Sequence, residues 1–449
     1  MIFCRWKLYA VFAGVGALGL AAPGPAGAEN WPQWRGPFFN GSTAETNLPV
    51  AWSATNNVAW VAPLPGPSAA TPAVWGDDVF VSSTDAEHRL LLLCFDRRSG
   101  QRRWQQPLGT GDFSKGNNNL ASPSPATDGR AVYALFGSGD LAALDPAGRV
   151  LWARNLGREF GRFAIMWLYG SSPLLWNGRL YVQVLQRQPP TYEHAADGRA
   201  DRESYLLCLD PQTGKDLWRH VRATDAQDES MESYATPIPR RGPDGDEILV
   251  VGGDCVTAHR ADTGAELWRC YGLNPKCDPW RRVVPSAVTS GDLVYACGPK
   301  REAVLAIRGG GRGLVTDTHT VWKSTASTPD VCTPLVYQGK LFVLDGDRKH
   351  MACLDPQTGA VQWEGALPVE GIIRASPTGA DGKVYCLSEG GTVVVLSAGD
   401  TFKILSTVNM DGEGPCRASV AVAGGQLFIR TARNLYCIGR HSARAARAE

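Results

Sequence analysis

The sequence has almost no net charge: its 449 residues include 45 lysines and arginines against 44 aspartates and glutamates. That balance argues against a nucleic-acid partner. It contains no C-x-x-C-H segment, which excludes covalently attached haem. It also lacks a G-x-S-x-G elbow and a glycine-rich phosphate loop, so no catalytic constellation of those kinds is expected. His88, His194, His220, His259, His319 and His350 are scattered without metal-ligand spacing, and no zinc site is expected from them. A long amphipathic helical period is missing too. What is abundant is glycine (50) and proline (30), the composition of many short strands joined by many turns.

The chain opens with Arg5 and Lys7, an apolar run over residues 8–22, and a small-x-small site at Ala26-Gly27-Ala28. This is the pattern of an export signal over residues 1–28, with an uncleaved anchor as the alternative. The run is shorter than a membrane-spanning helix. The only early cysteine, Cys4, precedes it, so no lipid-anchor cysteine follows. The expected location is periplasmic or secreted, with no stable membrane anchor after cleavage.

The organising stretch is LLCLDPQTGKDLW at residues 206–218. It returns as MACLDPQTGAVQW (351–363) and LLLCFDRRSGQRRW (91–104), and more loosely as LAALDPAGRVLW (141–152) and VTAHRADTGAELW (256–268). An apolar strand enters a glycine-containing turn, the aspartate accepts turn N–H groups, and the tryptophan opens the return strand. A second element combines Ser or Thr, usually a proline, a short gap, a glycine and an alternating apolar strand. Its eight copies start near residues 70, 121, 171, 235, 284, 332, 375 and 418. Together the two elements make a four-stranded meander. Closing tryptophans fall at 104, 152, 218, 268, 322 and 363, and Leu405 lies near that slot in the seventh copy. The eighth copy stops at its third strand, NLYCIG, while a spare strand carrying Trp60 lies at residues 57–64.

The expected fold class is therefore all-β: an eight-bladed β-propeller of four-stranded antiparallel meanders, closed by the N-terminal strand completing the last blade. The domain reading is a signal at 1–28, an arm at 29–56 whose Trp31 and Trp34 pack over the body, the propeller at 57–439 and a disordered tail at 440–449. Cys94, Cys208, Cys353 and Cys437 share one repeat slot, which holds Ala143, Ala258 and Ala306 in other copies. A slot accepting Cys or Ala is a small buried one, so these are read as inert thiols. Cys270 and Cys277 share a loop and could pair.

These repeats resemble the quinoprotein-type, PQQ-like β-propeller family, marked by A-x-D-x-x-T-G-x-x-x-W in each blade. The resemblance spans residues 57–439. With the leading WPQWRGP, the chain is most similar to exported PQQ-like repeat proteins of planctomycete and verrucomicrobial type. Two better-understood branches bracket what the resemblance implies. The quinoprotein alcohol dehydrogenases hold the quinone on the propeller axis beside a ring of adjacent cysteines, with a carboxylate–Asn calcium site and a catalytic Asp. This sequence has no adjacent cysteines and no matching calcium set. The other branch, the propeller lipoprotein of the outer-membrane barrel assembly machine, is a scaffold. The expected function is an exported, non-catalytic binding or scaffold module for an envelope protein, a glycan or a small anion. The alternative is a divergent PQQ-dependent oxidoreductase. No cofactor is expected on the first reading; PQQ belongs to the second.

Candidate binding residues follow from the repeat register. The links between blades and some turns between second and third strands are long on one face, whereas the opposite face carries only short turns. Arg282, Arg374 and Arg417 lie just before inner strands; related positions hold Tyr234, with Asn119 and Asp330 one residue earlier. These six residues are expected at the channel mouth, where three arginines would favour an anion. The alternative is local pairing with Asp330, Glu370 or Glu413. Asp140, Asp254 and Asp347 recur in Gly-Asp-type turns, as turn caps or as a cation site.

Overall fold

The computed structural model describes residues 30–116, 118–199, 201–410 and 414–439. The leader at 1–28 and the tail at 440–449 lie outside the described residues. The strands form eight consecutive antiparallel blades around an axis. Blade one is typical: Ala73–Trp75 innermost, then Asp78–Thr84, Arg89–Asp96 and, outermost, Arg102–Thr110. Blade eight joins Ala421–Ala423, Gln426–Arg430 and Asn434–Ile438 to Val58–Pro63, the strand foreseen as the closing one. In that closing pair Trp60 faces Cys437, the same pairing that Trp104 makes with Cys94 and Trp218 with Cys208. In blade seven the slot is taken by Ser406, opposite Val395, one residue beyond Leu405.

Two repeated contacts hold each blade to the next. On the inside, the Ser or Thr of each inner-strand motif accepts the backbone N–H of its counterpart in the preceding blade. Thr71, Ser124, Ser172, Thr236, Ser286, Thr333, Ser376 and Ser419 are linked this way, at 2.8–3.1 Å, and the last bond runs from Ser419 N–H to Thr71 Oγ1. The inner strands are only a few residues long, so these bonds satisfy backbone donors that no ladder reaches. On the outside, each tryptophan indole donates to a turn carbonyl of the following blade: Trp60 to Arg97, Trp104 to Pro146, Trp152 to Pro211 and Trp322 to Pro356, at 2.7–3.0 Å. Its ring covers the turn glycine of that blade. At Gly214 (φ +68°) a Cβ would lie 2.6 Å from the Trp152 ring, so both the backbone angle and the packing demand glycine.

Trp268 is the exception. The link after it in blade five, residues 309–319, is long and pairs Gly313–Leu314 in parallel with the outer strand of blade four, making that sheet five-stranded. The Trp268 indole nitrogen is then buried without a partner. The expectation of only short turns on this face is thus corrected: an inserted glycine-rich link covers one blade edge.

The arm does more than pack over the body. It enters the channel from the side of the short turns. Trp31 bridges to Val74 of blade one, Pro32 O accepts Thr127 N–H of blade two, and Gln33 exchanges hydrogen bonds with Leu175 of blade three. Arg35, 1 % exposed, donates to Pro334 O and Pro377 O of blades six and seven. Burial pulls its guanidinium down to about 9. The arm then runs under blades seven and eight, where Glu45 accepts Gly424 and Gly425 N–H.

The structure pairs none of the slot cysteines, nor Cys270 or Cys277, in a disulfide. Cys270 and Cys277 are therefore unpaired: Cys270 is buried on the outer strand of blade four and Cys277 is exposed in the link beyond it. Burial raises the slot thiols, Cys208 to about 11 and Cys353 to about 12, which leaves them protonated and unreactive at neutral pH. Cys208→Ala and Cys353→Ala are each expected to cost about 1 kcal/mol or less, since alanine serves opposite tryptophan in sister blades. Urea unfolding checks this, and a loss well above that size would contradict it. Thr71→Val should orphan the Ser419 N–H at the ring's closing joint, at roughly 1–3 kcal/mol. Deleting residues 57–64 should expose the blade-eight edge and lower the melting temperature with aggregation; unchanged melting in either variant would contradict the closure.

Candidate functional site

The slot two residues before each ring hydroxyl faces the channel. Around the ring it holds Ala69, Ser122, Gly170, Tyr234, Val284, Val331, Arg374 and Arg417. Small residues line blades one to three, and the two arginines stand in the adjacent blades seven and eight. Slot, hydroxyl ring and Trp34 enclose an axial cavity of about 590 Å³, with Trp34 of the inserted arm as its floor. Among the described residues of its wall, Arg282, Arg374, Arg417 and Lys300 share the cavity with one carboxylate, Glu229.

The structure brings four of the six expected residues to this cavity: Tyr234, Arg282, Arg374 and Arg417. Asn119 does not line it. Its amide donates to Pro67 O at 2.8 Å and its oxygen accepts Ala121 N–H, so it braces the inner strand start. Asp330 serves as a counter-ion, accepting both Nη groups of Arg282 at 2.9 Å. Arg282 is also two residues out of register. Ser286 is the ring hydroxyl of blade five, so Val284 occupies the slot and Arg282 reaches in from above.

The three arginines differ in how far they are satisfied. Arg282 is held by Asp330 and lies 3.7 Å from Glu229. Burial alone would lower its pKa, but the Asp330 carboxylate outweighs it and holds the guanidinium protonated. Arg417 Nε donates to Glu389 at 2.7 Å. Arg374 reaches Asp347 only at 3.5 Å, and its Nε is buried without a hydrogen-bond partner. Local pairing thus accounts for Arg282, with Asp330 as foreseen, whereas Glu389 and Asp347 stand where Glu370 or Glu413 was expected. Glu370 forms no ion pair among the described residues, and Glu413 lies outside them. Of the turn aspartates, Asp140 and Asp254 accept amide hydrogens from Asn155 and Asn274.

Behind Tyr234 lies a group the sequence did not point to. Glu232 is fully buried and accepts hydrogen bonds from Tyr192 Oη at 2.5 Å and Met166 N–H at 2.7 Å. Tyr234 Oη, 3.4 Å from it, also accepts Trp167 N–H. Burial pushes the Glu232 carboxyl up to about 7, against those hydrogen bonds. A second surprise is His220 beside His259, rings 4.8 Å apart across blades three and four, with Glu266 close by. Linear spacing cannot reveal such contacts between blades. The cluster suits a metal poorly. Arg269 takes both Glu266 oxygens at 2.8 Å, and both His259 nitrogens are already hydrogen-bonded.

A family model described as outer membrane protein assembly factor BamB matches residues 42–188 and 313–403, more than half of the chain. The chain belongs to the PQQ-like β-propeller family. No curated protein matches this propeller by sequence. Solved structures do. Quinohemoprotein alcohol dehydrogenase from Comamonas testosteroni superposes with a TM-score of 0.65 at 13 % identity, covering 93 % of this chain and 82 % of its own. BamB from Moraxella catarrhalis gives 0.59 at 15 % identity, covering 85 % and 99 %. A europium-containing methanol dehydrogenase gives 0.64 at 11 % identity, covering 90 % of each chain. At these identities the likeness is one of fold. The residues of the axial cavity do not fit a calcium-bound quinone. Among the described residues Glu229 is its one carboxylate, and it faces Arg282, which would repel a cation.

Glu232 sets a pH dependence. Its folded pKa, about 7, lies above the ordinary 4.5. Between those values the folded state holds a proton that the unfolded chain releases. Its contribution to stability is therefore full below about 4.5 and falls as pH rises to about 7, by on the order of 3 kcal/mol. Glu232→Gln should remove that slope. Unfolding free energies at pH 5 and 7.5 that fall equally in wild type and variant would contradict it.

Proposed function

We propose that this protein is an exported, non-catalytic binding module of the cell envelope that takes a small anion, a sulfate- or carboxylate-bearing ligand, in the axial cavity. Among the described residues no helix is long and apolar enough to cross a membrane. The observation that carries the reading is Arg374: a cation on the channel wall, one blade from Arg417, whose guanidinium meets Asp347 only at 3.5 Å. A ligand oxygen at the cavity side of that guanidinium would supply a closer partner. The reading is further supported by the arm, because Trp34 turns an open channel into a pocket with a floor. Buried guanidinium–anion contacts are charge-assisted, and water exclusion strengthens them. The small wall formed by Ala69, Ser122 and Gly170 leaves room for the body of the ligand opposite the arginines.

Sulfate, phosphate and citrate at matched ionic strength are the probes. At a hundredfold excess over its dissociation constant, a bound anion stabilises the fold by about 2.7 kcal/mol. At least one of the three should raise the melting temperature of the wild type, and Arg374→Ala combined with Arg417→Ala should abolish the rise. No shift with any of them, or the same shift in the variant, would reduce the arginines to locally paired structural residues.

A further inference from the structure

Away from the axis, the long loops of blades one to three enclose a second cleft of about 760 Å³ on the same face. Its size falls within the range of small-molecule sites, roughly 300–1,000 Å³. Three guanidinium groups line it, those of Arg158, Arg162 and Arg199. None forms an ion pair among the described residues. Arg162 donates to Ala196 O at 3.3 Å, and Arg199 donates to Glu159 O at 3.0 Å and Arg158 O at 2.9 Å. The nearby acids are committed elsewhere, Glu159 to Arg154 and Asp197 to Arg202. Three arginines thus share one cleft with two carboxylates, Asp140 and Asp197, and none of the three is ion-paired with either.

Another part of the lining offers different chemistry. The Asp140 carboxylate is oriented by Ser138 Oγ at 2.6 Å and Asn155 Nδ2 at 2.7 Å. A Cβ on Gly109 would lie 2.5 Å from Asp140 Oδ2, so glycine there lets the carboxylate keep its place. Also on the lining, Phe113 is 39 % exposed, with its ring 5.9 Å from His194, which in turn stacks on Tyr192 at 5.6 Å. The aromatic face is therefore held in place by packing. Burial lowers the His194 pKa, and with Nε2 bonded to Ile165 O its other nitrogen can accept a hydrogen bond from a hydroxyl.

Cations for carboxylates, an oriented acceptor for hydroxyls and an aromatic platform for a C–H face are jointly matched by an acidic sugar chain. We propose that this cleft binds a short uronate oligosaccharide, with its carboxylates on Arg158, Arg162 and Arg199, hydroxyls on Asp140, and one ring stacked on Phe113. A neutral glycan leaves the arginines unused. An acidic peptide supplies no hydroxyls for Asp140, whose charge opposes further carboxylates.

Titration calorimetry on the full chain with tetragalacturonate, maltotetraose and tetraglutamate tests this. Tetragalacturonate is expected to bind with one-to-one stoichiometry, and the other two to give no saturable heat. Arg158→Ala combined with Arg199→Ala, which removes two charge-assisted contacts, should weaken binding by roughly a hundredfold or more. Arg374→Ala with Arg417→Ala should leave it unchanged, which separates this cleft from the axial cavity. Failure of tetragalacturonate to bind the folded wild type would overturn the proposal, as would equal affinity for tetraglutamate or for maltotetraose. So would binding lost in the Arg374/Arg417 variant yet kept in the Arg158/Arg199 one. If the arginine variant does not fold, Phe113→Ala decides: a severalfold weaker affinity supports the site, and an unchanged one overturns it.

Discussion

The structure depends on the contact between one blade and the next. No blade is covered on both faces by its own strands, so each must bury against its neighbours, and the ring must close. Two devices repeat to do this. A hydroxyl takes the N–H of the preceding blade near the axis, and a tryptophan covers the turn glycine of the following blade at the rim. Each bond contributes modestly, roughly 0.5–1.5 kcal/mol net. The hydroxyl bond is kept at all eight joints, whereas the indole bond is lost after Trp268, where the Gly313–Leu314 link covers the edge instead. The joint between blades eight and one uses both devices, through Ser419 with Thr71 and Trp60 with Arg97. That joint therefore needs a strand from the far end of the sequence.

The same ring frees the axis for function. Because the hydroxyl position carries the blade-to-blade bond, the residue two places earlier can vary without weakening the ring. It runs from Gly170 to Arg374 among the blades, and this variation makes a symmetric scaffold asymmetric at its centre. The arm adds the second asymmetry. Arg35 donates to carbonyls at the starts of two inner strands rather than to a carboxylate, so the plug is fastened to the backbone of the blades it closes. The loop face carries the rest of the variation, including the off-axis cleft between the links of blades one to three.

Most of the fold was legible because period and pairing are written locally. The Asp-x-x-Thr-Gly turn, its tryptophan and the Cys-or-Ala slot opposite are neighbours in a single hairpin, and the structure pairs Cys353 with Trp363 accordingly. The missing fourth strand of blade eight could be counted. The site was legible only in part. Tyr234, Arg374 and Arg417 share a register that sequence alignment of the blades exposes. Arg282 was read two residues out of register because blade five reads Val-Val-Pro-Ser, which moves the proline ahead of the ring hydroxyl. Trp34 as a floor, Glu232 behind Tyr234 and the meeting of His220 with His259 all arise between blades or from the arm's path. No periodicity in one strand encodes those contacts. The glycine-rich link after Arg308 was missed as an edge cover because it breaks the repeat rather than following it.

The central claim is that Arg374 and Arg417 form an anion site inside a floored channel. Crystals soaked in selenate, with anomalous diffraction at the selenium edge, test it most directly. The account predicts a peak within hydrogen-bonding distance of both guanidinium groups, above Trp34. Selenium peaks confined to the outer surface, with the cavity empty of anion, would contradict it.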